Sequence, residues 1–153
     1  MIDQRPSVSI RRATEADIDA VAPLFDAYRQ FYRQPPDRQR ARDWLRDRLR
    51  CDESVVLVAE RDGAAIGFTQ LYPMFSSVRT ARTWILNDLF VAAAARRSGA
   101  ARALLDAAVQ FARDDGAAGI ALETAHDNAP ARALYVAAGW HEESNRWYSL
   151  SLA

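Results

Sequence analysis

The chain has 153 residues, 50% of them hydrophobic, which is enough for one well-buried core and too few for two ordinary domains. We therefore predict a single domain over residues 1–153. The 20 basic residues balance the 20 acidic ones, so no net charge draws the protein to nucleic acid or to an anionic membrane. No apolar run approaches the roughly 20 residues of a membrane helix, and the first residues lack the apolar segment of a secretory signal.

The single cysteine, Cys51, excludes an intramolecular disulfide and is compatible with a reducing compartment. We therefore expect a cytoplasmic protein. A packing or incidental thiol is the favoured interpretation of Cys51, ahead of an activated nucleophile. Because His126 and His141 lie apart from it in the sequence, no spacing typical of metal ligands exists, and we expect no metal.

The first third of the chain predicts one strand and two helices. Residues 7–12 alternate polar and apolar side chains. Thr14 and Asp17 resemble a capping box, and apolar residues then recur at helical spacing from about residue 15 to the prolines at 35 and 36. A second helix is predicted over residues 37–50. We interpret its arginines as a solvated face with ion pairs, in preference to a basic rim for an acidic substrate or a phosphate.

The middle of the chain predicts a hairpin and a further strand. Residues 54–60 and 65–72 are rich in strand-forming side chains around the turn signal Asp62-Gly63. Pro73 is expected to end the second arm. The next strand is expected over residues 82–91. Its alternation places four side chains on one face: Trp84, Leu86, Asp88 and Phe90.

A short basic turn follows that strand and leads into an amphipathic helix. The turn carries Arg96, Arg97 and a single glycine, Gly99. The free N–H groups and the dipole of a helix N-terminus favour an anion such as a pyrophosphate. The turn has neither the P-loop pattern nor three glycines. From the residues alone, a phosphate-binding turn and an ordinary strand-to-helix connection are therefore equally favoured interpretations.

The last third predicts a strand, a helix and two further strands. Gly116 is expected to cap the preceding helix, and a strand is expected over residues 119–124. A short helix then begins after Asn128 and ends before Gly139, and the final strand covers residues 147–152. This order of elements predicts an α/β domain with a mixed sheet.

Asn128 and Tyr135 are candidates for chemistry on the short helix. An asparagine side chain can bridge amide groups with one donor and one acceptor. A phenol with a pKa of about 10 matches a leaving thiolate tolerably well and makes Tyr135 a candidate general acid. The alternative for Tyr135 is a core aromatic whose hydroxyl is bonded to a carbonyl.

Two long segments resemble the acetyl-CoA core of the GNAT N-acetyltransferase superfamily. They are residues 82–105, with the Arg96-x-x-Gly99-x-Ala101 turn, and residues 119–140, with Asn128 and Leu134-Tyr135-x-x-x-Gly139-Trp140. Residues 28–36, residues 67–77 and the pair Asn87-Asp88 resemble the branch that contains yeast-type histone and D-amino-acid acetyltransferases. The resemblance implies a mixed, mostly antiparallel central sheet of about seven strands flanked by about four helices.

Acetyl-CoA is the co-substrate that the resemblance implies. The pyrophosphate would be held by the turn residues Arg96, Arg97, Ser98, Gly99, Ala100 and Ala101. The backbone of Phe90 and Val91, together with Asn128, would bind the pantetheine arm, and Tyr135 would protonate the CoA thiolate. Ala101 replaces the more usual glycine but stays within the family pattern.

The implied reaction is direct attack of a primary amine on the thioester in a ternary complex, which needs a base for the amine proton. Asp88 is the first candidate and Glu123 the second. Both remain open to a structural role in which the carboxylate is hydrogen-bonded to backbone. His126 is less favoured as a base because a single loop histidine is more often incidental.

The acceptor is predicted to be a small amine, an amino acid or a peptide or protein amine. Candidate residues facing it are Phe31, Tyr32, Tyr72, Phe75 and Ser76, with core or oligomer contacts as the alternative. We expect no nucleic-acid or membrane partner, and we expect a homodimer that pairs through the apolar strand 147–152. A non-catalytic acyl-CoA sensor is the alternative function, and nucleic-acid binding through residues 29–50 is poorly supported by the zero net charge.

Overall fold

A computed structural model describes residues 7–153, in which five strands form one sheet. The chain divides into two compact units, the first reaching to Glu123 and the second beginning at Thr124. The strands are β1 (Ser9–Arg12), β2 (Val55–Arg61), β3 (Ala64–Ser76), β4 (Ala81–Val91) and β5 (Ile120–Ala121). The helices are α1 (Ile18–Phe31), α2 (Arg38–Arg50), α3 (Ala100–Asp114) and α4 (Ala129–Ala137).

The strands lie in the sheet in chain order, and each neighbouring pair is antiparallel except β4 and β5, which are parallel. The mixed, mostly antiparallel sheet and the four helices confirm the predicted fold class. The prediction of about seven strands was wrong. Strand β5 has two residues where 119–124 was expected, and residues 140–153 form no strand. An alternating pattern makes a strand only where a partner edge supplies its backbone hydrogen bonds.

The face assignment of β4 was wrong because the strand contains a β-bulge. Leu86 lies opposite Leu71 while Asp88 lies opposite Gln70, so Asn87 is the extra residue. Neighbouring residues of β3 point to opposite faces, and directly opposite residues share a face. Trp84 and Leu86 therefore lie on one face of the sheet, whereas Asp88 and Phe90 lie on the other.

Strand β3 does not end at Pro73, as predicted, but runs to Ser76. Pro73 lies opposite Trp84 on β4, and the Trp84 N–H donates away from β3, to the carbonyl of Gly119 at 3.0 Å. On its other side β3 pairs with β2 only as far as Leu71. The missing N–H of Pro73 therefore interrupts no ladder bond, which is the position where a strand tolerates proline.

Helices cover both faces of the sheet in the first unit. Helices α1 and α2 pack on the face that carries Phe68, and α3 packs on the face that carries Trp84, whose ring meets Phe111 at 5.0 Å. The core on the α1/α2 side includes Val21, Phe25, Leu45, Val56, Val58 and Phe68. Each such buried side chain stabilises the fold by about 1.5–3 kcal/mol relative to its exposed state.

The predicted starts of the first two helices are confirmed. The Thr14 N–H donates to Asp17 Oδ2 at 2.8 Å, and the Asp37 carboxylate accepts from the Arg40 N–H at 3.0 Å. The arginines of α2 form ion pairs, with Arg42 bonded to Asp19 at 2.7 Å and Arg50 to Glu15 at 2.7 Å. This is the favoured interpretation of that face, and the pairs lie both within α2 and between α2 and residues outside it.

The second unit contains α4, capped as predicted by Asn128, whose Oδ1 accepts from the Ala131 N–H at 3.4 Å. Gly139 follows the helix with a φ of 87°. The Tyr135 and Trp140 rings lie 6.4 Å apart. Among the described residues, no helix combines the length and the apolar composition needed to cross a membrane.

Candidate active site

The bulge of β4 turns Asp88 toward the face covered by α1 and α2, where the residue is almost fully buried, at 3% exposed. The Gln70 Nε2 donates to Asp88 Oδ2 at 2.6 Å, and the Asn87 Nδ2 donates to Asp88 Oδ1 at 2.8 Å. A buried carboxylate held by two amide donors keeps acceptor capacity for a third partner. Asp88 is therefore placed as an oriented carboxylate in the interior of the first unit.

Burial raises the pKa of Asp88 above its ordinary value, because desolvation penalises the charged form. The amides of Gln70 and Asn87 and the hydroxyl of Tyr28 act in the opposite direction. A carboxylate with a raised pKa is a stronger base than an exposed aspartate and accepts a proton more readily from an amine. Perturbed carboxyls of this kind are concentrated at functional sites.

Aromatic side chains of α1 lie next to Asp88. The Tyr28 ring packs edge-on against Tyr32 at 5.0 Å, Phe68 at 6.0 Å and Phe90 at 6.4 Å. Its hydroxyl donates to the Asn87 carbonyl at 3.2 Å, so α1 is tied directly to the bulge. The bulge residue thus bonds Asp88 through its side chain and Tyr28 through its backbone.

A second aromatic pair lies farther along the same face. Tyr72 of β3 shares this face with Gln70, and its hydroxyl accepts from the Trp44 Nε1 of α2 at 3.3 Å. The Arg48 guanidinium lies over the Trp44 ring at 4.4 Å. Burial raises the pKa of Tyr72, and the nearby Asp88 adds to that rise. The Asp88 carboxylate therefore has tyrosines on both sides of it.

The turn before α3 has the backbone of an anion-binding loop. Arg97 and Gly99 both adopt left-handed conformations, with φ of 63° and 84°. Gly99 is the N-cap of α3, and Ser98 Oγ accepts from the Ala100 N–H at 3.3 Å. Left-handed residues ahead of a helix turn successive N–H groups toward one side, where the helix dipole also favours negative charge. Arg96 and Arg97 are exposed at this turn.

The second half of β4 extends beyond its partner on one side. Strand β5 pairs only with Trp84 and Ile85. In the described residues no strand covers that edge of β4 from Leu86 to Val91, which leaves backbone groups for an extended ligand. Phe90 and Val91, the residues predicted to bind pantetheine, lie at the end of this open edge.

The predicted site residues of the first unit do not all lie together. Phe75 and Ser76 pair with residues at the far end of β4, roughly 16–20 Å along the strand from Gln70 at about 3.3 Å per residue. Phe31 and Tyr32, by contrast, end α1 next to Tyr28. Glu123 is exposed, unlike the buried Asp88.

The residues of the second unit that were singled out are found on α4 and its cap. Asn128 uses its side-chain oxygen to cap the helix, which leaves the amide N–H groups as donors for a ligand. Tyr135 is half-buried on the same helix. Among residues 7–153, no group of three potential metal ligands is found.

Sequence reasoning missed Gln70, which bonds the candidate base, and Tyr28, which bonds the Asn87 carbonyl beside it. Gln70 is a polar residue, fully buried, inside an apolar strand, and that pattern is a signal that it has a specific partner. Tyr28 lies on the apolar face of an amphipathic helix and resembles an ordinary core residue in the sequence. Only the placement of α1 over the bulge distinguishes it.

Comparisons with known proteins show which proteins this chain is similar to. A family model described as Acetyltransferase (GNAT) family matches residues 19–140. The uncharacterized N-acetyltransferase YhfO of Bacillus subtilis (strain 168) is 50% identical over 137 residues, covering 90% of this chain and 92% of that protein. The crystal structure of a probable acetyltransferase has a TM-score of 0.91 at 40% identity, covering 95% of this chain and 98% of the other.

A more distant structure shares the fold. The aminoglycoside N-acetyltransferase AAC(6')-Iy, solved in complex with CoA, has a TM-score of 0.84 at 18% identity, with 100% of both chains covered. At this identity the likeness concerns the fold alone.

Proposed function

The chain belongs to the acetyltransferase (GNAT) family, and from this premise we propose that it transfers the acetyl group of acetyl-CoA to a primary amine. The observation that carries the proposal is the buried, oriented carboxylate of Asp88 on the strand with the open edge. Binding acetyl-CoA without turnover needs no such base. This favours the enzyme over a non-catalytic sensor.

Acetyl-CoA is held, in this proposal, by two elements of the first unit. The turn from Arg96 to Ala101 binds the pyrophosphate through backbone N–H groups and arginine side chains. The backbone of Phe90 and Val91 binds the pantetheine arm as an added strand would. Asn128 contributes a further amide contact, a role that rests on the family motif.

The acceptor amine attacks as the free base. Its nitrogen forms the bond to the thioester carbonyl carbon, and Asp88 accepts the proton, directly or through water. The CoA thiolate leaves with the electrons of the C–S bond. Tyr135 protonates it, a role that rests on the position of this tyrosine in the family motif. Glu123 is the second candidate for the base.

The acceptor class follows from the side chains around Asp88. Tyr28, Tyr32 and Phe31 offer aromatic surface, which suits an amine with an apolar body. AAC(6')-Iy has been solved with a bisubstrate analog, CoA-S-monomethyl-acetylneamine. We keep small amines, amino acids and peptide amines as the classes to be tested, in line with the resemblance to histone and D-amino-acid acetyltransferases.

Two further proposals concern the state of the protein. Residues 147–152 expose Trp147, Tyr148, Leu150 and Leu152, and we propose that this segment pairs across a homodimer. Cys51 is an exposed free thiol, a form that a reducing compartment maintains, and we place the reaction in the cytoplasm. Mass measurement in solution, with and without residues 147–153, tests the dimer.

The deciding experiment for the function is thiol release from acetyl-CoA. Amines of the three classes are presented at saturating acetyl-CoA, and the acetylated product is identified by mass. We expect release that depends on the amine, and longer acyl-CoAs serve as controls for acyl preference. Tight CoA binding with no release for any amine would favour the sensor instead.

A further inference from the structure

Gln70 carries a buried acceptor that the fold does not use. The residue is fully buried on the central strand of the sheet, and its Nε2 donates to Asp88 Oδ2 at 2.6 Å. Its Oε1 has no hydrogen-bond partner in the part of the chain that the structure describes. Buried polar side-chain atoms are nearly always hydrogen-bonded, so an exception beside a candidate base needs a chemical explanation.

The Gln70 amide cannot be turned round to satisfy this oxygen. An ionised carboxylate only accepts hydrogen bonds, so the NH2 end of the amide faces Asp88. The opposite orientation would set the amide oxygen against the carboxylate oxygen, with no proton between them. Oε1 therefore remains an acceptor for a donor that the described residues do not supply.

This free oxygen lies close to the carboxylate that accepts the amine proton. The oxygen and nitrogen of an amide are about 2.2 Å apart, given the lengths of its C=O and C–N bonds. Added to the 2.6 Å from Nε2 to Oδ2, this spacing places Gln70 Oε1 at most about 5 Å from Asp88 Oδ2. One nitrogen that makes two N–H bonds of ordinary length reaches oxygens roughly 5 Å apart. The spacing therefore permits a single NH2 group to donate to both residues.

We infer that Gln70 Oε1 and Asp88 together bind the acceptor nitrogen, so that Gln70 selects primary amines against secondary ones. This inference rests on the proposed function, because the nitrogen that it orients is the one that attacks acetyl-CoA. As the N–C bond forms and the C–S bond breaks, one N–H proton passes to Asp88. The second N–H donates to Gln70 Oε1 before this step and remains as the N–H of the product amide.

The acceptor reaches this pair of residues at the bulge. Asn87 is exposed, and its Nδ2 donates to Asp88 Oδ1 at 2.8 Å. The carboxylate thus contacts a side chain that solvent reaches. The NH2 of Asn87 occupies a position from which an amine nitrogen also bonds the carboxylate, and it turns toward solvent when the amine enters.

A secondary amine leaves the Gln70 oxygen unpaired. Its free base has one N–H, and Asp88 takes that proton during the reaction. The substituent that replaces the second proton then faces Oε1, a buried acceptor that gains no hydrogen bond. A site built to bind an N–H rejects analogues that lack it, because the buried polar group of the site stays unsatisfied.

The test compares a primary amine with its N-methyl derivative in the same enzyme. The primary amine is the best substrate of the thiol-release panel, and kcat/KM is measured for both amines at a pH where the wild-type rate no longer rises. The variants are Gln70→Leu and Gln70→Met, whose apolar side chains have no acceptor oxygen. Asn87→Ala is the matched control, because it removes the other amide donor to Asp88 and leaves Gln70 in place. Circular dichroism verifies the folding of each variant.

We expect the wild type to prefer the primary amine by about 10- to 100-fold in kcat/KM. In Gln70→Leu and Gln70→Met this preference falls by about tenfold or more, whereas Asn87→Ala keeps the wild-type ratio. Loss of an amide donor raises the pKa of Asp88 in all three variants, which affects both amines alike. The ratio within one enzyme therefore separates the role of the Gln70 oxygen from folding and from the basicity of Asp88.

The outcomes distinguish this selectivity from the function on which it depends. Equal kcat/KM for the two amines in the wild type overturns the inference, even if neither Gln70 variant folds, and leaves acetyl transfer standing. An unchanged ratio in a folded Gln70 variant also overturns it. A fall of the same size in Asn87→Ala overturns it too, because the bulge would then set the selectivity. No turnover by the wild type with any amine overturns both the inference and the proposed function.

Discussion

The Gln70 side-chain amide donates to Asp88 Oδ2 at 2.6 Å, across the two strands whose register shifts at that place. The same side chain is fully buried, and its Oε1 has no hydrogen-bond partner among the described residues. An unsatisfied buried acceptor costs about 1–3 kcal/mol. The fold therefore holds Asp88 in place at some expense in stability, which is typical of a functional position.

Asp88→Asn should abolish the acid limb of the pH–rate profile. The base acts only as carboxylate, so wild-type kcat falls as the pH drops through the raised pKa of Asp88. The asparagine has no such titration, and we expect kcat to fall by about 10²–10⁴-fold. Glu123→Gln is the matched comparison. If the acid limb survives in Asp88→Asn and vanishes in Glu123→Gln, the base is Glu123.

Gln70→Leu should move the acid limb to higher pH. The Gln70 N–H stabilises the charged form of Asp88 and lowers its pKa, so its removal lets burial raise that pKa further. Gln110→Leu is the control, since Gln110 also donates to an aspartate, Asp114 at 2.8 Å, but on the exposed side of α3. If the acid limb of the pH–rate profile stays at the wild-type pH in Gln70→Leu, the assignment of Asp88 as the base is contradicted.

Tyr135→Phe should reduce kcat by about 10- to 1,000-fold, the size of a general-acid contribution, with little change in the affinity for acetyl-CoA. The variant keeps the ring that lies 6.4 Å from Trp140 and loses only the hydroxyl. Single-turnover kinetics and calorimetric binding of acetyl-CoA measure the two effects separately. Turnover equal to the wild type at saturating substrates would remove the acid role.

Gly67→Ala should destabilise the fold by about 1–3 kcal/mol, the usual cost of forcing an extra methyl group into a packed position. A Cβ at Gly67 would lie 2.8 Å from the Phe90 carbonyl oxygen, a backbone atom with little freedom to move. Gly119→Ala is the control, because its Cβ would meet only the end of the Arg79 side chain at 3.3 Å. Urea denaturation compares the two. If Gly67→Ala and Gly119→Ala had equal free energies of unfolding, β4 would be able to move away from the added methyl group, and the prediction would be wrong.

Asp17→Asn should destabilise the protein at neutral pH by about 1 kcal/mol, the usual size of a lost helix cap. Bonding to Arg11, then to the Thr14 N–H, lowers the pKa of Asp17 to about 2. An aspartate with a lowered folded pKa stabilises above its unfolded value of about 3.9 and loses this effect as the pH falls toward the folded value. The difference in free energy of unfolding between wild type and variant should therefore disappear between pH 4 and pH 2.

The matched control for this pH dependence is Asp106→Asn, which removes an exposed pair with Arg102. Exposed pairs contribute little to the free energy of unfolding, so this variant should follow the wild type. Urea midpoints at closely spaced pH values measure both variants. A gap between wild type and Asp17→Asn that stays constant down to pH 2 would contradict the assignment.

Much of the local structure could be predicted from the sequence because its signals are local. The Thr14/Asp17 cap, the Asn128 cap and the turn into α3 at Gly99 depend on residues a few positions apart. The hairpin of β2 and β3 and the amphipathic faces of α1 to α3 follow from turn chemistry and periodicity. The family motif in the turn before α3 and in α4 is likewise defined by residues that lie a few positions apart in the sequence.

What the sequence by itself determined is thus the order of the elements as far as α4, together with the motif residues that indicate acetyl-CoA chemistry. Only the tertiary structure decided which face Asp88 occupies, since one extra residue at Asn87 inverts the alternation that the sequence implies. It also decided that Gln70 and Asn87 are the partners of this carboxylate and that Tyr28 bonds the backbone of the bulge. The physical reason is that a bulge and a helix docked over it are defined by contacts between distant residues, which no local periodicity encodes.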